Sequence, residues 1–337
     1  MMKENIKKLI RYTASAALAA VLLWVSFRGV EWEDFMEGLR SCRWEFILLS
    51  MAAGSFAFWL RALRWRKLLL PIDSSITRIT TFNGINIGNI SNFLFPRIGE
   101  FVRCGVITRR SEPISPDDQE HKKASYDKVL GTVVLERSWE LLVMLLLLAV
   151  VVVGGFDRFG GFFVEQIWTP MASRLDFSIW WSVLILFAAG CASLWSIWRF
   201  KDSNALCGKV WGIFRGIMKG FASCLSMERK WMFFAYTAFI WMTYWLMAAS
   251  TMWAAPFLAG LTLVDALFLS LVGGLGFAVP VPGGIGAFHF IISLALSGIY
   301  GVPVEMGIIY ATLSHTSQAI TQIIFGLASY SYETLKK

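Results

Sequence analysis

Asn92-Phe-Leu-Phe-Pro-Arg-Ile-Gly-Glu-Phe-Val-Arg103 is the stretch on which the reading of this 337-residue chain turns. It sets Arg97, Glu100 and Arg103 directly after an apolar run, Thr81 to Phe95, that ends at Pro96 and is followed by Gly99. A second stretch, Gly276-Phe-Ala-Val-Pro-Val-Pro-Gly-Gly-Ile-Gly-Ala-Phe-His289, has the same grammar. Both run from apolar residues through proline and glycine to Ile-Gly-x-Phe, at Ile98 to Phe101 and at Ile285 to Phe288. In a membrane protein, broken apolar segments in matching positions of two halves point to a binding site.

Composition supplies the membrane. The chain is 56% hydrophobic and 16% charged, with 16 Trp and 27 Phe, more apolar surface than a soluble domain of this length can bury. The net charge of +8 does not imply nucleic acid, because the Lys and Arg lie in short segments between apolar spans without a basic, aromatic-studded surface. That placement reads as membrane topology, with attraction to anionic headgroups as a consequence. The cysteines at 42, 104, 191, 207 and 224 form no CxxC pair, so they are expected to be small apolar fillers rather than disulfide or zinc ligands. No cofactor or metal is expected. The basic amino terminus and Thr13 to Phe27 are read as an uncleaved span rather than a signal peptide.

In order, the expected spans are Leu9 to Phe27, Phe46 to Leu60, Val129 to Val153, Ile179 to Trp198, Trp231 to Trp253 and Val304 to Tyr330. The acidic segment Gly29 to Glu45 is read either as a helix lying on the outer surface or, equally, as a solvated loop helix, and Arg61, Arg64, Arg66 and Lys67 are taken as the charges that stop the second span. Between Arg78 and Arg109 the chain is too short and too charged for two ordinary crossings, so it is read as a hairpin that enters from the cytoplasm and turns at Pro96. Leu263 to Tyr300 is read as a second hairpin that enters from outside. The fold class is therefore an all-α polytopic membrane protein, a single integral membrane domain over 1–337 with six full spans and two re-entrant hairpins. Pseudo-repeat units cover roughly 79–153 and 263–330, with cytoplasmic loops at 109–128 and 199–230. Within the latter, Val210 to Leu225 is expected to lie along the interface.

Basic residues give the orientation. Cytoplasmic segments hold 25 of the 31 Lys and Arg, and external segments hold only Arg28, Arg40, Arg43, Arg158 and Arg174. This imbalance puts both termini in the cytoplasm. The two hairpins then enter from opposite faces, as in an inverted-topology repeat with its site near the midplane.

The chemistry offered by the first hairpin is anion binding. A helix starting after Pro96 presents free N–H groups, Gly99 allows close approach, and Arg97 and Arg103 suit a fork-like grip on phosphate. Glu100 and Arg103, three apart, can meet on one helix face. On the next span Thr132, Glu136 and Glu140 share a face with Arg137 nearby, and such intramembrane charges must be paired or wetted. A buried network that only fixes helix packing would use the same residues. The second half carries Pro280, Pro282, Gly283, Gly284, Gly286 and His289, and the last span a stripe of Ala311, His315, Gln318 and Gln322. Interhelical hydrogen bonding accounts for that stripe as well as substrate contact does. His315 also offers a proton-linked role.

These residues resemble a family: the transmembrane domain of lysylphosphatidylglycerol synthases and their stand-alone, flippase-like relatives. The resemblance rests on Pro-Arg-x-Gly-Glu-x-x-Arg at Pro96 to Arg103, on Glu136, Arg137 and Glu140, on Pro282 to Gly286, and on the basic run Arg61-Ala-Leu-Arg64-Trp-Arg66. It implies a multi-pass protein of the bacterial inner membrane that moves a lipid between leaflets, its partner an anionic or aminoacylated phospholipid. This chain has His289 where relatives often carry Glu. Without an aminoacyl-transferase domain following Lys337, lysine transfer is not implied. The expectation is a non-enzymatic translocator, in which Arg97 and Arg103 hold the headgroup phosphate, Glu136 and Glu140 neutralise them or bind a headgroup amine, and the second hairpin gates. Two alternatives remain open: an intramembrane enzyme on lipid or isoprenoid phosphates, although HExxH, GxSxG and aspartate-rich motifs are absent, and a non-transporting scaffold.

Overall fold

The fold was analysed in a computed structural model that describes residues 2–111, 124–165, 169–170, 179–204, 207–208, 210–212 and 230–336. Most of the loop expected over 109–128 and of the interfacial segment Val210 to Leu225 lies outside these residues. Every regular element among the described residues is helical. The helices are α1 (Met2–Phe27), α2 (Trp32–Arg40), α3 (Trp44–Leu69), α4 (Arg78–Leu94), α5 (Gly99–Arg110), α6 (Tyr126–Gly154), α7 (Ile179–Arg199), α8 (Lys230–Ala254), α9 (Leu263–Gly276), α10 (Ala287–Tyr300) and α11 (Val304–Leu335). The chain divides into two compact units, Met1–Leu148 with Trp231–Lys337, and Ala149–Lys230. In the smaller unit a π-helical turn, Phe156–Gly160, precedes α7.

Among the described residues, four helical segments are long and apolar enough to cross a membrane: Trp44–Leu69, Tyr126–Gly154, Lys230–Ala254 and Pro282–Tyr300. The last is α10 with its preceding turn, which the sequence reading assigned to one arm of a hairpin. A fifth crossing is available if Thr13–Phe27 and Trp32–Arg40, bent by 87°, count as one span. The bend turns Phe35 and Gly38 of α2 inward, where Gly38 meets Ile309 and Met306 of α11. α3 does not end at its arginines as expected. It continues to Leu69 and buries Arg61 and Arg64.

α4 and α5 form an antiparallel hairpin. Thr77 caps the start of α4 by accepting from the Thr80 N–H at 3.1 Å. Phe95 breaks the helix with extended backbone ahead of Pro96. Gly88 of α4 lies against Gly99 of α5, so close that a Cβ on Gly99 would overlap the Gly88 carbonyl. Gly84 sits one turn further along, beside Trp65 and the Arg103 backbone. α9 and α10 repeat the arrangement, with Gly273 and Gly276 against Phe288 near the turn and the Tyr300 hydroxyl donating to Asp265 at 3.0 Å at the open end. A capping box joins Thr262 and Asp265 at the start of α9.

α11 binds the two hairpins together. Its 32 residues span about 48 Å at 1.5 Å per residue. Near its start Gly307 rests on Ser293 of α10, and near its end Gly326 rests on Ile90 and the Asn86 backbone of α4. Glu333 accepts from Asn83 at 2.7 Å and from Arg110 at 2.6 Å, which ties the base of the first hairpin to that end. The hairpins thus lie along opposite halves of one helix, and their tips meet near its middle. There Arg97 Nη2 donates to the Ala278 carbonyl at 2.8 Å, and the Phe93 ring lies against Gly283.

Gly99→Ala should destabilise the hairpin by about 1–3 kcal/mol through overpacking against backbone that cannot move aside. Gly105→Ala on the same helix, where an added Cβ meets nothing within 4 Å, should be neutral or mildly stabilising. Thermal unfolding of both variants in detergent makes the comparison, and equal midpoints would contradict the close α4–α5 contact.

Candidate functional site: a buried arginine–glutamate cluster and a histidine pair

Three helices deliver the charges. α3 supplies Arg61 and Arg64, one turn apart, α5 supplies Glu100 and Arg103, and α6 supplies Glu136, Arg137 and Glu140. At the centre, Arg103 Nη1 donates to Glu136 at 2.6 Å, with the two side chains 2% and 0% exposed. The Arg103 guanidinium lies 4.6 Å from the ring centroid of Trp65, and Trp65 in turn donates its Nε1 hydrogen to Thr132 on α6 at 3.0 Å. Arg64 donates to Glu140 at 2.5 Å, approaches Glu136 at 3.5 Å and also donates to Thr237 of α8 at 3.3 Å. Arg61 lies 3.9 Å from both carboxylates.

At the accessible edge of the cluster, Arg137 pairs with Glu100 at 3.2 Å and with Glu140 at 3.3 Å. Its side chain is 37% exposed, against 20% and 17% for the two carboxylates. Burial therefore increases from this edge inward to Glu136 and Arg64. Four guanidinium groups face three carboxylates, a surplus of one positive charge. Several buried N–H groups have no hydrogen-bond partner: Nε and Nη2 of Arg61, Nε of Arg64, Nε and Nη2 of Arg103, and Nε of Arg137. Glu100 Oε2 and Glu136 Oε1 are likewise without a hydrogen-bond partner. A group of this composition can accept an anion rich in oxygen acceptors.

Several expectations are corrected by this geometry. Glu100 and Arg103 do not pair with each other. Each reaches across to α6, because α6 presents opposite charges to both while the α5 face turns inward. Arg97 does not join Arg103: it sits at the exposed hairpin tip and bonds the second hairpin. The N–H of Gly99 is not offered to a ligand, since it donates to Asn92 Oδ1 at 2.7 Å. The run Thr81 to Phe95 also carries Asn83, Asn86 and Asn89 buried in the hairpin, which its apolar reading overlooked.

The second group of residues forms a separate site. Gly283, Gly284 and Gly286 all have positive φ, at 57°, 77° and 82°, which lets the chain after Pro282 turn sharply back into α10. His315 Nε2 bonds the Gly283 carbonyl at 2.9 Å, and its ring centroid lies 5.1 Å from that of His289. Phe27, Phe93, Phe277 and Phe288 surround the two imidazoles, and His289 Nδ1 has no hydrogen-bond partner. Gln318 turns away to the Ser50 backbone carbonyl on α3, at 3.3 Å. Among the described residues no hydrogen bond or ion pair joins the histidine pair to the arginine–glutamate cluster.

Arg61, Arg64 and Trp65 are the residues that sequence reasoning left out of the site. Their signal was the one-turn spacing of Arg61 and Arg64, which puts two charges on the inward face of a helix otherwise apolar there. Removing one partner of a buried pair is far costlier than removing an exposed one. Glu136→Ala should lower stability by about 3–5 kcal/mol, whereas Arg137→Gln at the accessible edge should barely move the unfolding midpoint. Denaturant unfolding in detergent checks the ranking.

Comparison with known proteins places this arrangement. The family model described as the lysylphosphatidylglycerol synthase TM region matches residues 12–326. No curated protein matches the chain significantly, and no solved structure does. Residues 12–326 take in both hairpins, the arginine–glutamate cluster and the histidine pair, so this multi-pass membrane protein belongs to the lysylphosphatidylglycerol synthase transmembrane-region family.

Proposed function

We propose that the chain is a lipid translocator, without catalytic chemistry of its own, that moves a phospholipid headgroup across the bacterial inner membrane. The observation that carries this reading is the buried surplus of guanidinium charge, with unpartnered N–H donors, behind an accessible edge at Arg137, Glu100 and Glu140. Lone charges are expensive in hydrocarbon, and an uncompensated one favours a site that an anion completes. A headgroup phosphate fits the donors, and a headgroup amine fits the carboxylate oxygens that have no hydrogen-bond partner.

The topology proposed is six spans and two re-entrant hairpins entering from opposite faces, with both termini cytoplasmic. It is supported by the basic residues, 25 of 31 of which this topology gathers on the cytoplasmic side, and by the hairpins lying on opposite halves of α11 with touching tips. Such an inverted repeat permits access from each face in turn. Arg61, Arg64 and Arg103 are interior rather than loop charges, and the basic imbalance survives their removal from the count.

In proteoliposomes, wild-type protein should move a fluorescent phosphatidylglycerol between leaflets. Glu100→Gln with Arg137→Gln, a change confined to the accessible edge, should slow this at least about tenfold with folding intact. Mass spectrometry of the same lipid should show no new species. A chemically altered lipid would favour an intramembrane enzyme, and no movement with wild type would remove the translocator reading.

A further inference from the structure

Arg97 stands apart from every other arginine near the site. Arg61, Arg64, Arg103 and Arg137 all face carboxylates, whereas Arg97 makes no ion pair among the described residues and uses one nitrogen on a neutral backbone carbonyl. It is also the one non-glycine residue with positive φ among them, at 64°, a conformation that side chains other than glycine disfavour. Such a backbone is retained where surrounding contacts hold it, and the polar contact made by this side chain is with the opposite hairpin.

The acceptor is equally particular. Ala278 lies in the irregular turn between α9 and α10, which is held from two further directions. Ser15 of α1 donates to the Pro280 carbonyl at 2.5 Å, and His315 of α11 bonds the Gly283 carbonyl at 2.9 Å. Arg97 supplies the polar link from the first hairpin tip to the second, beside the Phe93 ring. A guanidinium binds phosphate oxygens, two at a time, more strongly than a single neutral carbonyl. Leu94 and Phe95, just before the arginine in the chain, and Phe277, just before its acceptor, are large apolar side chains exposed at 68%, 41% and 47%, so the anion suited to this place carries apolar chains.

We propose that Arg97 is an anion-released latch, exchanging the Ala278 carbonyl for the phosphate oxygens of an amphiphile and so uncoupling the two hairpin tips. The latch rests on the translocation reading for its purpose but not for its test. Its ligand class is a phosphate-bearing amphiphile.

The test places spin labels at cysteines introduced as Phe101→Cys and Ala278→Cys, in a chain whose five natural cysteines are replaced. Dipolar broadening then reports whether the tips are close. In phosphate-free detergent the labels should be strongly coupled. Added phosphatidylglycerol should lower the close-pair fraction several-fold, and a phosphate-free glycolipid should not. Inorganic phosphate should act only at far higher concentration, and action at matching concentration would overturn the amphiphile assignment.

Arg97→Gly removes the guanidinium while suiting the positive φ, so it should fold and show separated tips in every condition. Wild-type coupling unchanged by phosphatidylglycerol, or retained in Arg97→Gly, overturns the latch. Lipid movement in proteoliposomes separates the two readings. Tips that respond without movement would sink translocation alone, and normal movement with tips that never respond would sink the latch alone.

Discussion

The contact between Arg103 and Glu136 is the constraint on which the larger unit depends. It joins the second arm of the first hairpin to α6, and through Trp65 and Thr132 it fixes α3 to the same place. A buried pair of this kind contributes little net stability against an apolar alternative, yet either partner alone would be an uncompensated charge. Its effect is to specify which face of each helix turns inward. Once α3, α5 and α6 are so oriented, Arg64, Glu140 and Arg61 fall within reach of one another without further adjustment.

Close backbone approach does for the hairpins what charge does for that cluster. Gly88 against Gly99, and Gly273 and Gly276 against Phe288, allow short helices to pack along their length where larger side chains would hold them apart. Polar ties then fix the open ends, through Glu333 for one hairpin and through Asp265 with Tyr300 for the other. The turn of each hairpin is left irregular, its backbone groups taken up by Asn92, Arg97, Ser15 and His315. Broken backbone is tolerated in an apolar setting only where such partners exist.

Much of this was legible in the amino-acid sequence because proline and glycine punctuate apolar runs at both turns, and because the charges on α6 repeat every helical turn. Partner choice was not. Spacing of three along α5 allows Glu100 and Arg103 to meet, but it says nothing of α6, which offers each a better-placed opposite charge. Arg61 and Arg64 were misread for a related reason: arginines at the end of an apolar run look the same whether the helix stops there or carries them inward. The asparagines of α4 were hidden by the apolar residues between them, and only the packed hairpin shows that Asn83 reaches Glu333 and Asn92 closes the start of α5.

α11 is one unbroken helix seated on a glycine near each end, at Gly307 and Gly326, with His315 in between at the meeting of the two turns. A stiff rod held in this way behaves as a beam on a pivot. Any tilt about its middle swings its extremities in opposite senses, so a gap widened beside one hairpin is matched by a gap narrowed beside the other. Simultaneous opening at both extremities would require the beam itself to bend.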